Sequence, residues 1–132
     1  MDNHRGSEII CVDPWPDAEI KRRFDKNTAG YPYLTAYQGY SHEVLRRFPL
    51  GIFDVIYVDG NHDGKNVLED AILSYRLLKS GGLMIFDDLR WKNPNNHPCD
   101  ILPKPAIDAF ISIFQHKVTV LHRGSQLLLR VQ

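Results

Sequence analysis

The chain has 132 residues, enough for one domain with a modest core, and its 16 basic residues balance 16 acidic ones. That balance excludes a net field steering the chain toward nucleic acid or an anionic membrane surface, so neither is expected as a partner. At 43% apolar the composition is that of a globular chain, and neither a membrane-spanning apolar run nor a signal peptide in the opening MDNHRGSE is read.

Taken in order, residues 8–12 (EIICV) form a short apolar run that ends at Asp13-Pro14-Trp15, where proline stops a strand. Cys11 lies within it and shares no metal-type spacing with Cys99; it is expected to be a buried thiol, in a reduced, cytoplasmic setting. Residues 18–27 carry Ile20 and Phe24 four apart among charges, the pattern of a short amphipathic helix. Residues 33–38 read as a strand of mixed polarity near a sheet edge. Ser41 is a good N-cap for a helix over SHEVLRRF, with Val44, Leu45 and Phe48 as its buried stripe.

The stretch 52–91 then reads as strand, helix, strand, and it organises the chain. Residues 53–58 are nearly all apolar and stop at Asp59. A helix is predicted from about Lys65, burying Val67, Leu68, Ala71, Ile72, Tyr75 and Leu78, with Gly81-Gly82 as its stop. A second apolar strand, 83–86, ends at Asp87-Asp88. Continuous apolar runs joined by a crossover helix suit parallel neighbours, so Asp59, Asp87 and Asp88 should emerge at one sheet edge, where open α/β folds bind ligands. Three carboxylates there repel unless a cation or a proton sits among them; the bland alternative is that aspartates simply end strands and cap helices.

Residues 89–102 fit no period. A loop of that length suggests a lid or binding loop, and Trp91 with residues 93–98 is expected to line the acceptor side. Pro103 and Pro105 open a helix through Phe114 whose inward face is Ile107, Phe110, Ile111 and Phe114. Residues 117–121 and 126–131 flank His122-Arg123-Gly124-Ser125 as a hairpin.

From Glu8 onward, and most specifically in FDVIYVDGNH followed by LLKSGGLMIFDD, the chain resembles class I S-adenosylmethionine-dependent methyltransferases. The likeness is to the small group with a DG-x-H step and to catechol-type O-methyltransferases. The resemblance implies an α/β, Rossmann-like three-layer fold with a mostly parallel sheet, a C-terminal antiparallel hairpin, and a single methyltransferase-like domain over 1–132. It implies that Asp13 accepts hydrogen bonds from the cofactor ribose, that Gly39, Tyr40, Ser41 and His42 lie along the adenine, and that Asp59 faces the methyl donor or holds a metal. By the same resemblance Asp59, Asp87 and Asp88 bind Mg²⁺, which holds and activates an oxygen of a small-molecule acceptor. His62 could instead be the general base; the alternative is a helix-start residue without chemistry.

Two features depart from the family pattern. A glycine-rich loop should precede EIICVDPW, and only Gly6 lies upstream; the first strand, which would sit between 8–12 and 53–58, is missing with it. Either 8–12 slides across to pair with 53–58, or another chain, as in a homodimer, fills the gap, or the chain is truncated from a longer ancestor, which we expect. Relatives with the DG-x-H step also often carry an aromatic residue where this chain has Gly64.

The leading expectation is therefore methyl transfer to a small molecule at oxygen. The alternative is a catalytically inactive remnant acting as an interaction module or subunit. A phosphoacceptor receiver domain fits the order of elements poorly, a dinucleotide oxidoreductase would need a glycine-rich turn, and Arg22-Arg23 and Arg46-Arg47 are scattered helix-face pairs.

Overall fold

The computed structural model describes residues 6–92 and 101–132, and contacts within it cluster into two units, Met1–Val44 and Leu45–Gln132. In the first, β1 (Ile9–Asp13), α1 (Ala18–Thr28) and β2 (Leu34–Gln38) form a parallel β-α-β unit in register from Ile9↔Leu34 to Asp13↔Gln38. Asp17 caps α1 by accepting from Glu19 N at 2.8 Å. Trp15 is buried and packs on Phe24 at 4.8 Å between ring centroids, while Ile20 stays 56% exposed, so Phe24, with Lys21 over the same indole, carries the inward face of α1. Cys11 is half-buried, and burial pushes its thiol pKa up.

The predicted helix over SHEVLRRF is shorter than expected. Only one turn, α2 (Ser41–Val44), is α-helical; Leu45–Arg47 tighten into a 3₁₀ turn. Ser41 is also not the cap: the Tyr40 carbonyl accepts from Glu43 N and Val44 N at 3.0 Å each, which makes Ser41 the first helical residue.

The second unit runs β3 (Phe53–Val58), α3 (Gly64–Leu77), β4 (Leu78–Phe86), α4 (Pro103–Ile113), β5 (Val118–Arg123) and β6 (Leu127–Val131). Its sheet has the order β3-β4-β6-β5, parallel between β3 and β4 and antiparallel across β4-β6 and β6-β5. The expected hairpin is present, and strands and helices alternate in each unit as expected of an α/β, Rossmann-like fold. Among the described residues β1 ladders only with β2, and β3 only with β4, so of the alternatives for the missing strand the pairing of 8–12 with 53–58 is not the one seen.

Gly81-Gly82 does not stop the helix. α3 ends at Leu77, β4 begins at Leu78, and both glycines lie inside that strand, where the register jumps from Phe53↔Leu78 to Val55↔Leu83. Gly81 takes φ +84°, and a Cβ on Gly82 would stand 2.8 Å from the Lys79 carbonyl, so the irregularity needs glycine.

The buried stripe of α3 is also rotated from the predicted one. Val67 and Ala71 are buried as expected, but Ile72 is 40% exposed, and Leu73, Ser74 and Leu77 turn inward. The helix lies against α4 as well as the sheet, so its inward arc is wider than one stripe. Met84, Phe86, Leu127 and Leu129 fill the core with Ile107 and Phe110 of α4, each large side chain contributing about 1.5–3 kcal/mol by leaving water. No helix among the described residues is long and apolar enough to cross a membrane.

Gly64 opens α3 where no side chain fits. Its N–H donates to the Ile101 carbonyl at 2.7 Å, and a Cβ would lie 2.5 Å from Ile101 Cγ2 and 2.9 Å from that carbonyl oxygen. The aromatic residue expected there from relatives has no space. Gly64→Ala is expected to destabilise the protein by about 1–3 kcal/mol, the usual cost of overpacking, measured by urea unfolding. An unchanged midpoint would show that Ile101 does not press on α3.

Candidate active site

The site is built where β3 and β4 end. The ladder continues one rung past β4, with Asp87 N donating to Val58 O at 3.0 Å, so Asp59 and Asp87 leave neighbouring strands at the same edge. Beyond Asp59 the chain turns tightly: Asn61 Oδ1 accepts from Asp63 N at 2.6 Å, and Asp63 Oδ1 accepts from Lys65 N at 3.0 Å to cap α3. This double turn presents His62 toward β4.

Asp88 receives it. The Asp88 backbone lies in the left-handed region at φ +52°, uncommon for a residue with a Cβ, and its carboxylate Oδ2 sits 2.9 Å from His62 Nε2. Trp91 N donates to Asp88 O at 2.8 Å, and the Trp91 indole stacks on the His62 ring with centroids 4.6 Å apart. One ligand atom each from Asp59, His62 and Asp88 lie within 4.8 Å of one another. Val58, Val67, Phe86 and Pro103 line the small pocket beside them.

Asp87 lines the same pocket but is engaged elsewhere. Its Oδ2 accepts from Tyr57 OH at 2.5 Å, and its Oδ1 from Asp88 N at 2.9 Å and Gln126 Nε2 at 3.2 Å. These bonds, the tyrosine's first, hold the Asp87 carboxyl below its usual pKa, and the same contact pushes the Tyr57 phenol up to about 12. Asp59 moves the other way. Burial raises its pKa most, helped by the negative charges of Asp87 and Asp88 and opposed by His62.

Apart from Asp59, the residues expected at the cofactor lie in the first unit, at or just past the carboxyl ends of its strands. Asp13 ends β1, its Oδ1 accepts from Trp15 N at 2.6 Å, and its carbonyl accepts from Gly39 N at 3.0 Å. A Cβ on Gly39 would stand 2.8 Å from Val44 Cγ2, so the turn requires glycine. Tyr40 is exposed and its ring stacks near His42 at 5.7 Å, with Ser41 between them. Residues 93–98, expected on the acceptor side, lie outside the described residues.

Sequence reasoning missed Tyr57 and Gln126. Tyr57 reads as one more apolar strand position, and Gln126 as the start of a hairpin strand 69 residues away. The alternation rule gives the one available signal: Tyr57 lies two residues before Asp59, on the same side of its strand.

Comparison with known proteins bears on this geometry. A sequence family described as a methyltransferase domain matches residues 1–89. An uncharacterized protein of Acanthamoeba polyphaga mimivirus is 29% identical over 103 residues, spanning 69% of this chain and 46% of its own length. The O-methyltransferase from Bacillus cereus, solved in complex with SAH, superposes with a TM-score of 0.68 at 18% identity, covering 96% of this chain and 64% of that one. The MycE methyltransferase from the mycinamycin biosynthetic pathway, solved with Mg and SAH, gives 0.59 at 15% identity, covering 98% and 46%. This chain thus spans less than two thirds of the length of these relatives, and the structural likenesses show the fold.

The raised pKa of Asp59 predicts a pH signature of its own. Between the ordinary carboxyl range and that raised value the folded state holds more protons than the unfolded one, so wild-type stability falls as pH rises through this window. Asp59→Asn removes the effect. In chelator, the variant should match wild type near pH 3 and exceed it at pH 7, by less than about 1 kcal/mol because the group is largely exposed. Thermal unfolding from pH 3 to 8 reads this; a less stable variant at pH 7 would contradict it.

Proposed function

The chain belongs to the methyltransferase-domain family that matches residues 1–89, and on that premise we propose that it is a class I enzyme that uses S-adenosylmethionine to methylate a small molecule at oxygen, with a divalent cation at Asp59, His62 and Asp88. The observation that carries this reading is the gathering of those three side chains at the β3–β4 edge beneath Trp91.

The donor set fits an ion. Cis ligands at roughly 2.1 Å from a cation stand about 3.0 Å apart, and opposite ligands about 4.2 Å. The 2.9 Å between His62 Nε2 and Asp88 Oδ2 fits the first, and an Asp59 carboxylate oxygen lies within 4.8 Å of the other two ligand atoms. An imidazole among carboxylates favours Mn²⁺ over the Mg²⁺ that an all-oxygen set would take. MycE, with Mg and SAH, supports a cation in this fold, and the Bacillus cereus enzyme supports S-adenosylmethionine, whose demethylated product is SAH.

When bound, S-adenosylmethionine supplies an electrophilic methyl group, and a cation supplies positive charge favouring a deprotonated acceptor oxygen. The chain's own residues bind and orient. Asp13, oriented by Trp15 N, offers Oδ2 to ribose hydroxyls, and the Gly39–Tyr40–Ser41–His42 turn offers an open backbone and an aromatic face to adenine. Trp91 extends the site with a flat apolar wall suited to a planar acceptor. Without an ion, Asp88 would fix the His62 ring through Nε2 and leave Nδ1 to take the acceptor proton. A cytoplasmic setting and the absence of nucleic-acid and membrane partners belong to the same proposal.

One observation favours a second reading, a catalytically silent interaction module or homodimer subunit. Among the described residues β3 ladders on one side only, and its Val55 and Tyr57 are 51% and 50% exposed. Isothermal titration with S-adenosylmethionine and SAH separates the two. Saturable binding that Asp13→Ala weakens about tenfold or more supports the enzyme. No heat at millimolar ligand leaves the interaction module.

A further inference from the structure

We propose that Trp15 and Gln38 are positioning residues for the cofactor's ribose: they hold the turn after β1 so that Asp13 meets two vicinal hydroxyls with its carboxylate already oriented. The inference rests on the S-adenosylmethionine reading above. Each residue of this turn is tied down. The Asp13 carbonyl accepts from Gly39 N at 3.0 Å, the Pro14 carbonyl from Gln38 Nε2 at 3.1 Å, and Asp13 Oδ1 from Trp15 N at 2.6 Å. Asp13 itself is exposed, so its carboxylate stays open to a ligand while Trp15 fixes its plane.

Tryptophan is an unusual occupant of this place. Its backbone lies at φ +40°, which a bulky side chain rarely adopts, and a positive φ just after proline is a turn position that glycine usually fills. Such a conformation persists only where its surroundings over-determine it. Here the ring supplies the hold. Trp15 is 7% exposed, its indole packs on Phe24 at 4.8 Å between centroids, and Lys21 Nζ stands 5.0 Å from the ring centre. Two side chains of α1 thereby anchor the backbone N–H that fixes Asp13. A carboxylate held in its bound orientation loses less free energy to ordering when a ligand arrives, so its contacts to the hydroxyls strengthen. If the indole only packed α1 onto the strand, the hydroxyls would gain nothing from it.

The test is calorimetric titration of the full chain with SAH and with its 2′,3′-dideoxy analogue, because the ratio of the two affinities reads the ribose hydroxyls alone. Wild type should prefer SAH by about tenfold or more, and Asp13→Ala should bind the two within about twofold of each other. Trp15→Ala should cut the preference by about threefold or more, whereas Trp15→Phe, which keeps a ring against Phe24, should hold it within about twofold of wild type. Equal weakening of both ligands in Trp15→Ala, with the preference intact, would reduce the indole to packing and overturn the inference while leaving the S-adenosylmethionine reading in place. Gln38 is exposed, so Gln38→Ala decides the matter if Trp15→Ala does not fold. A preference lowered by about twofold or more in that variant supports the inference, and an unchanged one overturns it. Wild type binding both ligands alike would also overturn it, and wild type failing to bind millimolar SAH would overturn both.

Discussion

The site depends on a single backbone hydrogen bond, Asp87 N to Val58 O, which extends the parallel ladder beyond Phe86. Parallel pairing carries both strands toward the same edge, and the Val58↔Phe86 register sets the carboxylates that follow side by side. A slip of one residue would send these side chains to the other face of the sheet. The antiparallel partner of β4 then contributes from the opposite direction. β6 begins where β4 ends, so the hairpin preceding it delivers Ser125 and Gln126 to the turn. Leu89 N donates to Ser125 O at 2.9 Å with Leu89 buried, and Gln126 reaches Asp87. The left-handed backbone at Asp88, a sparsely populated conformation, is thus held between fixed points on both sides.

Three carboxylates at one edge must each be relieved of the others' charge, and each is relieved differently. Asp87 is satisfied by a phenol, an amide and a backbone N–H, which favour its ionised form. Asp88 faces an imidazole. Asp59 gains only the opposing charge of His62, and its charged form carries the larger cost of burial and of both neighbours. It is the member with most to gain from a cation. Asp59 is thus the carboxylate whose charge is least compensated at this edge, while His62 and Asp88 face each other at 2.9 Å.

Much of this frame was legible in the sequence. The apolar runs at 53–58 and 83–86, the helix between them and the aspartates at their ends follow from local pattern alone, and all appear within a few residues of their predicted positions. The inward face of α3 did not follow, because a segment as apolar as residues 67–78 supports two overlapping stripes, and α4 chooses between them. Gly81-Gly82 carried a true signal, a need for glycine, whose setting was ambiguous: helix stop and strand irregularity both call for a positive φ. The Tyr57–Asp87–Gln126 contacts span 30 to 69 residues of sequence and leave no periodic trace. Only the pairing of β3, β4 and β6 brings them together.

β3 shows where sequence pattern and structure part for a physical reason. Its near-continuous apolar run is the signature of a strand with neighbours on both sides and cover on both faces, yet among the described residues it ladders with β4 alone. An open apolar edge invites pairing with other chains, and proteins commonly guard such edges with charge. Here Asp54, on the strand, pairs with Lys79 across the irregularity of β4 at 2.8 Å, placing charge near the strand's start. Among the described residues no ion pair sits at its middle, where Val55 stands half-exposed; farther along, the Tyr57 ring is half-exposed and its hydroxyl donates to Asp87. The Tyr57–Asp87 hydrogen bond therefore also holds the half-exposed ring at the carboxyl end of β3.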